Sequence, residues 1–151
     1  MQTLERTTFI RAGLGEVFEF FSNPKNLAVI TPPAMGFRIV DAPQRRLRAG
    51  DRIKYGIRVN GIPMTWVTLI IEWEEGRKFV DLQEKGPYAY WHHTHSFQAK
   101  DGGVEMYDRV DYRLPLGLLG QIFGGWFVRR ELRVIFDFRG ETTLKTFGSA
   151  I

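Results

Sequence analysis

Between Arg52 and Leu114 the chain carries four turn signals separated by alternating apolar and polar residues, and this pattern constrains the fold more than any other feature. Ile53, Tyr55, Ile57 and Val59 alternate with Arg52, Lys54, Gly56 and Arg58, as in a half-buried strand. Asn60-Gly61 follows, a strong two-residue hairpin signal. Strands are then expected over 62–73, 78–84, 88–99 and 104–114. Glu74-Glu75-Gly76-Arg77, Gly86-Pro87 and Lys100-Asp101-Gly102-Gly103 supply the turns between them. The expectation is an antiparallel meander.

Turn length sets the register. A two-residue loop at Asn60-Gly61 puts Tyr55 opposite Trp66. A four-residue loop at 74–77 pairs Trp73 with Lys78, and so Ile70 with Asp81 and Thr68 with Gln83. A register centred on Pro87 sets Gln83 opposite Trp91 and Asp81 opposite His93. A four-residue loop at 100–103 sets His95 opposite Asp108 and Trp91 opposite Tyr112. Directly opposed residues share a face. The inner face therefore carries the aromatics Tyr55, Trp66, Trp91, Phe97 and Tyr112, with Thr68 among them. It also carries the polar set Asp81, Gln83, His93, His95 and Asp108. The outer face is expected to show Val67, Leu69, Ile71, Trp73, Val80 and Leu82, an apolar patch that a homodimer would cover.

Ahead of the meander, Thr3–Ile10 reads as a strand and Gly15–Phe21 as a short helix. A second short helical turn starts at Asn23-Pro24 and ends at Thr31-Pro32-Pro33, before a strand over 35–40. After Pro115 the period changes. Leu119, Ile122, Phe123 and Trp126, then Val128, Leu132, Ile135 and Phe136, recur at helical spacing. One helix from about 118 to 147 would run roughly 45 Å. A sheet with a long helix across its inner face is an α+β layer architecture.

The length of 151 residues suits one domain, 1–151, with a real core. The absence of cysteine excludes disulfides, thiolate zinc sites and thiol nucleophiles, and it is compatible with a cytoplasmic location. No apolar leader opens the chain, and the longest uncharged stretch, 114–128, is short and broken by Pro and Gly, so no stable membrane insertion is expected. The net charge of +4 and the arginines at 45, 46, 48, 52 and 58 permit an acidic partner. No nucleic-acid motif accompanies them, and a solvated face is the expectation.

This order of elements resembles the helix-grip fold of the START/SRPBCC superfamily, over essentially the whole chain. That superfamily includes the birch-pollen-allergen proteins and polyketide cyclase-like proteins. The resemblance rests on Glu16-Val17-Phe18-Glu19-Phe20-Phe21 with Asn23-Pro24, on Gly86-Pro87, and on Trp91-His92-His93-Thr94-His95-Ser96-Phe97. Gly102-Gly103 and the run from Asp108 to Gly117 complete it. It is most similar to the small bacterial ligand-binding branch. It implies a curved antiparallel sheet of about seven strands wrapped around a long C-terminal helix, with two short helices after the first strand. It also implies a cavity between sheet and helix that binds or carries a small hydrophobic molecule, such as a lipid, an isoprenoid or an aromatic polyketide-like compound. Tyr55, Trp66, Thr68, Asp81, Gln83, Trp91, His93, His95, Phe97, Asp108, Tyr112 and, from the helix, Phe123 are the candidate ligand-binding residues.

The inward polar residues need partners, because an unpaired buried carboxylate costs several kcal/mol. Asp81–His93 and His95–Asp108 are the expected cross-strand pairs. His93 and His95, ~6.8 Å apart along a strand, also have metal-ligand spacing. With carboxylate neighbours at hand and no metal implied by the resemblance, no metal and no cofactor are expected. No nucleophile elbow, phosphate loop or dinucleotide fingerprint is present. The second reading is a cyclase, dehydratase or hydrolase of such a compound, with His93 or His95 as acid/base.

Overall fold

The structure, a computed structural model, describes residues 1–59 and 61–148, and for 117–123 the backbone alone. The elements in chain order are β1 (Gln2–Ile10), α1 (Leu14–Ser22), β2 (Arg38–Asp41), β3 (Arg52–Val59), β4 (Ile62–Glu74), β5 (Lys78–Lys85), β6 (Tyr90–Lys100), β7 (Gly103–Arg113) and α2 (Gly117–Thr146). Short 3-10 turns at Pro24–Leu27 and Pro33–Met35 separate α1 from β2. The seven strands form one antiparallel sheet in the order β1-β7-β6-β5-β4-β3-β2. With α2 on the inner face, this is the helix-grip α+β fold.

Two boundaries differ from expectation for local reasons. Pro32-Pro33 and the left-handed Gly36 (φ 58°) hold 33–36 in a turn, so β2 starts at Arg38 instead of 35. Tyr88 is in the turn before β6, where Gln83 holds it: the Gln83 Nε2 donates to the Tyr88 carbonyl at 2.8 Å, and the Tyr88 N–H donates to Gln83 Oε1 at 3.1 Å.

The core divides into two large clusters and a smaller one of Leu47, Ile53 and Ile70. Beneath α1, Phe18 meets Phe97 edge-on at 5.1 Å and Phe79 at 6.1 Å, with Ile10, Val104 and Met106 beside them. At the other end, Trp66, Trp91, Val110 and Tyr112 pack against Leu132 and Phe136 of α2. The buried residues Leu132, Phe136 and Thr143 recur at spacings of four and seven, the stripe of a core-facing helix.

Trp126 does not join that stripe. It is 69% exposed, with Arg130 stacked on its ring at 5.8 Å. Gly125 is buried in its place and Gly124 half-buried, so the helix turns two residues without side chains toward the sheet.

The outer face also departs from expectation. Glu74, not Trp73, pairs with Lys78, leaving a three-residue turn, Glu75-Gly76-Arg77, with Gly76 left-handed at φ 74°. A bulge between Ile70 and Glu72 takes up the extra residue, so Ile70↔Asp81 and Thr68↔Gln83 stand as expected. Beyond the bulge the alternation reverses. Trp73 turns inward, stacking on Phe79 at 4.9 Å and meeting Phe18 at 5.4 Å. The expected outer patch thus loses Trp73 to the inner face; Val80 keeps its outer position opposite Thr94 but is buried, and the exposed Ile71 remains with the half-buried Val67, Leu69 and Leu82.

Two arginines of the loop before β3 are engaged locally. Arg45 grips Asp51 through both Nη atoms at 2.8 Å, and Arg46 reaches Glu19 and Glu75, tying the loop to α1 and to the β4–β5 turn. The side-chain orientations across the bulge yield a test. Trp73→Ala is expected to destabilise by about 2–4 kcal/mol, as for loss of a packed aromatic, and Ile71→Ala by less than ~1 kcal/mol. Urea unfolding of the two variants checks the reversal.

Candidate functional site

Between the two core clusters lies a cavity of about 370 Å³, bounded by the inner sheet face and α2. Its size falls within the ordinary range for small-molecule sites. Tyr55, Trp66, Thr68, Asp81, Trp91, His93 and His95 line it, as expected from the register. Tyr55 stacks on Trp66 at 5.9 Å, and Trp66 meets Trp91 edge-on at 5.3 Å. Burial pushes the Tyr55 phenol well above its usual pKa, against a hydrogen bond with Thr68.

Four expected residues are placed elsewhere. Phe97 is in the cluster under α1, two residues along β6 from His95 and past the end of the cavity. Tyr112 is buried against Trp91 and Tyr88. Gln83 has its amide engaged by the β5–β6 turn, and the β5–β6 ladder stops at Leu82↔His92 before reaching it. Asp108 sits behind the histidines instead of on the cavity wall. The side chain of Phe123 lies outside the described residues. The register arithmetic missed Tyr88, because it treated the residue as strand, and Arg139. Arg139 follows Phe136 by three on the core stripe of α2, a spacing that was legible in the sequence.

The polar centre is a quartet. Asp81 is opposite His93, and His95 opposite Asp108, as the turns require. The hydrogen bonds, however, run along the diagonals. His93 Nε2 lies 2.8 Å from Asp108 Oδ1, and His95 Nε2 lies 2.6 Å from Asp81 Oδ2. The directly opposed contacts are longer, 3.7 Å from His93 Nδ1 to Asp81 and 3.5 Å from His95 Nδ1 to Asp108. The expected pairings are thus exchanged. An imidazole is long enough to reach the diagonal neighbour, and doing so lets the two rings stack at 3.6 Å. His95 also stacks on Phe79 at 4.1 Å, while His93 meets Phe136 edge-on at 5.5 Å. The quartet therefore bridges the two core clusters.

Electrostatics follow from this enclosure. Burial, then the neighbouring His93, brings the His95 pKa down to about 4. Burial works to raise the pKa of Asp81. The hydrogen bond from His95 and the charges of the two histidines and Arg139 outweigh it, and the carboxyl is held below the usual range. Asp108 is lowered in the same way, with His93 as its hydrogen-bond partner. Two buried N–H groups lack a hydrogen-bond partner among the described residues and belong to cavity-lining side chains: Trp66 Nε1 and Arg139 Nε. His92, on the opposite face of β6, stacks on Tyr90 at 6.3 Å.

A scan against protein-family models finds no match, nor does a search of curated proteins. Solved structures do match in fold. The chain is similar to the Zhui aromatase/cyclase from Streptomyces sp. R1128, with a TM-score of 0.74 at 14% identity over 97% of this chain and 93% of that one. It is also similar to TTHA0849 from Thermus thermophilus, with a TM-score of 0.68 at 16% identity over 95% and 92% of the two chains. Ara h 8.0201 matches with a TM-score of 0.64 at 15% identity over 95% and 98%. The likeness is one of fold, the helix-grip arrangement of sheet and C-terminal helix. No helix among the described residues is long and apolar enough to cross a membrane.

Two outcomes are expected for the quartet. Double-mutant cycles should show a larger coupling for His93–Asp108 and for His95–Asp81 than for His95–Asp108. Asp108→Ala should cost about 3–5 kcal/mol, because it leaves a buried imidazole without its acceptor, and Asp111→Ala about 1 kcal/mol or less. The pH dependence follows from the lowered His95 pKa. Unfolded histidine takes up a proton near pH 6.5, whereas the folded residue takes one up only near pH 4. Stability is therefore full above pH 6.5 and falls as the pH drops toward 4. The lowered carboxyls of Asp81 and Asp108 add a further loss below the usual carboxylate range. Thermal unfolding across pH 4–7 should show the loss, and His95→Asn should flatten the part between 4 and 6.5.

Proposed function

We propose that the chain is a single cytoplasmic domain that binds or carries a small, mainly apolar molecule bearing one or two oxygen atoms. The observation that carries this reading is the cavity wall itself. Aromatic and aliphatic side chains together form most of it, while Trp66 Nε1 and Arg139 Nε are buried donors with no acceptor among the described residues. Each unsatisfied buried donor costs about 1–3 kcal/mol, which an acceptor oxygen on a ligand would recover. Asp81, whose side chain is 13% exposed and lines the cavity, offers an acceptor to a ligand hydroxyl. A flat aromatic alcohol meets these demands better than a plain hydrocarbon of the same size.

Binding is favoured over imidazole catalysis by the hydrogen-bond geometry. One nitrogen of each imidazole is tied to a carboxylate, His93 Nε2 to Asp108 at 2.8 Å and His95 Nε2 to Asp81 at 2.6 Å, so neither can act on a ligand without breaking the quartet. The same fold in the aromatase/cyclase neighbours supports an aromatic or polyketide-like ligand for this one.

Titration with 2-naphthol is expected to quench Trp66 and Trp91 fluorescence saturably. Naphthalene should bind at least about fivefold more weakly, corresponding to the lost hydrogen bond. Trp66→Phe should narrow that difference. Native mass spectrometry of freshly purified protein should show a bound small molecule that is released unchanged. A protein that binds neither probe, or that converts its ligand, is not the carrier described here.

A further inference from the structure

We propose that Asp81, His93 and His95 form a binding site for a divalent transition metal at the polar end of the cavity, with Asp108 behind them holding both imidazoles in the ligating orientation. One donor atom from each of Asp81, His93 and His95 lies within 4.8 Å of the others. The two histidines are i, i+2 on one face of β6, and Asp81 is on the neighbouring strand, so rigid sheet backbone carries all three.

Counting protons shows what the cluster lacks. Two neutral imidazoles carry two N–H groups, and four ring nitrogens face carboxylate oxygens. The contacts at 2.6 and 2.8 Å are the two N–H···O bonds. The contacts at 3.5 and 3.7 Å then set a bare nitrogen lone pair against a carboxylate oxygen. Two acceptors facing each other in a buried setting repel unless a cation lies between them. A second proton would put two imidazolium rings, or one beside a polarised neighbour, into a stack 3.6 Å apart. A metal ion avoids this by binding the lone pairs directly.

The contacts also sort by depth. His93 Nδ1 and His95 Nε2 both stand against one atom, Asp81 Oδ2, at 3.7 and 2.6 Å. His93 Nε2 and His95 Nδ1 both stand against another, Asp108 Oδ1, at 2.8 and 3.5 Å. Asp81 and the two histidines line the cavity, and Asp108 does not. An ion at the first set would be met by two imidazole nitrogens and a carboxylate oxygen. Asp108 would then accept both outward N–H groups, the carboxylate-behind-histidine arrangement common at metal sites. Protons balance: the His95 proton moves from Nε2 to Nδ1, and no proton is released.

Bonds of about 2.0–2.1 Å in tetrahedral array place ligand atoms roughly 3.3 Å apart, so the 2.6 Å contact opens and the 3.7 Å contact closes by small side-chain rotations. A fourth position remains toward the cavity. At the quartet itself two carboxylates, Asp81 and Asp108, stand against one arginine, Arg139, which makes no ion pair with either among the described residues, a local excess of negative charge that suits a dication. The nitrogen and oxygen donors suit Zn²⁺, Co²⁺ or Ni²⁺.

The test is titration of chelator-treated protein with Co²⁺ at about pH 7.5, where neutral imidazoles are available as ligands. The expected result is a visible absorption band that saturates at one ion per chain and is displaced by Zn²⁺, with Zn²⁺ also raising the melting temperature. Asp81→Asn and His93→Ala should abolish both effects, His92→Ala should keep both, and Asp108→Asn should weaken binding by about 10- to 100-fold. Should a variant fail to fold by circular dichroism, NMR of the unaltered protein decides the matter: Co²⁺ should shift the ring protons of His93 and His95 and leave those of His92 in place. The absence of a saturable band, a band unchanged in folded Asp81→Asn, or shifts centred on His92 would overturn the site. The result is separable from the naphthol titration, since metal binding with no naphthol binding keeps this site and removes the carrier reading.

Discussion

Two carboxylates sit in the middle of a largely apolar and aromatic sheet face, and the rest of the structure is arranged around keeping them solvated by something other than water. Asp108 is 3% exposed, between Met106 and Val110, which are both fully enclosed. An ionised group in such a place stays folded only if hydrogen-bonded partners surround it. Those partners are the two histidines of β6, set between Asp81 of β5 and Asp108 of β7, so three adjacent strands must hold one register for the quartet to exist. A slip of one residue would turn every member to the outside. The polar centre therefore specifies strand alignment where aromatic packing alone would tolerate several arrangements.

The same centre divides the interior. On one side the rings of Phe18, Phe79 and Phe97 pack together under α1. On the other, Trp66 and Trp91 stand around open space under α2. The first half resembles a conventional core and the second a container, and the histidines are the partition, His95 stacked on Phe79 and His93 against Phe136. Gly125 is buried and Gly124 half-buried at the start of the described side chains of α2, and Val128, Leu132, Ile135 and Phe136 line the open space further along.

Much of this was legible in the sequence because turn chemistry is local. Asn60-Gly61, Gly76 and Asp101-Gly102 each announce a reversal, and alternation between them assigns faces. Tyr55↔Trp66, Ile70↔Asp81 and His95↔Asp108 followed without knowledge of the fold. What was not legible depends on distances shorter than the repeat of a strand. Register says which residues are opposite, not how far an imidazole reaches, so the exchanged pairing of the quartet was hidden. The bulge at Ile71 was hidden too, because its effect on Asp81 cancels that of the shorter turn. Gln83 showed the right parity but a competing partner, the Tyr88 backbone. The part played by Arg139 was not legible because an arginine on an apolar stripe reads as an interruption, although its long stem lets the guanidinium lie over the Phe136 ring at the cavity wall.

The cancellation at β4–β5 has a consequence for how this chain can change. The bulge between Ile70 and Glu72 acts as an expansion joint. A residue deleted from 75–77, or one inserted there, moves the strand ends by one place, and the joint can close or widen to absorb it before the shift reaches Asp81. The exposed tip of the hairpin is thereby free to vary in length among descendants of this sequence, while the strand segment from Thr68 to Ile70 keeps its alignment with the quartet. Alterations on the other side, in the Lys100–Gly103 turn, meet no such joint, since β6 and β7 pair without a break from Tyr90 to Lys100. One hairpin can drift and its neighbour cannot, although both lead to the same four side chains.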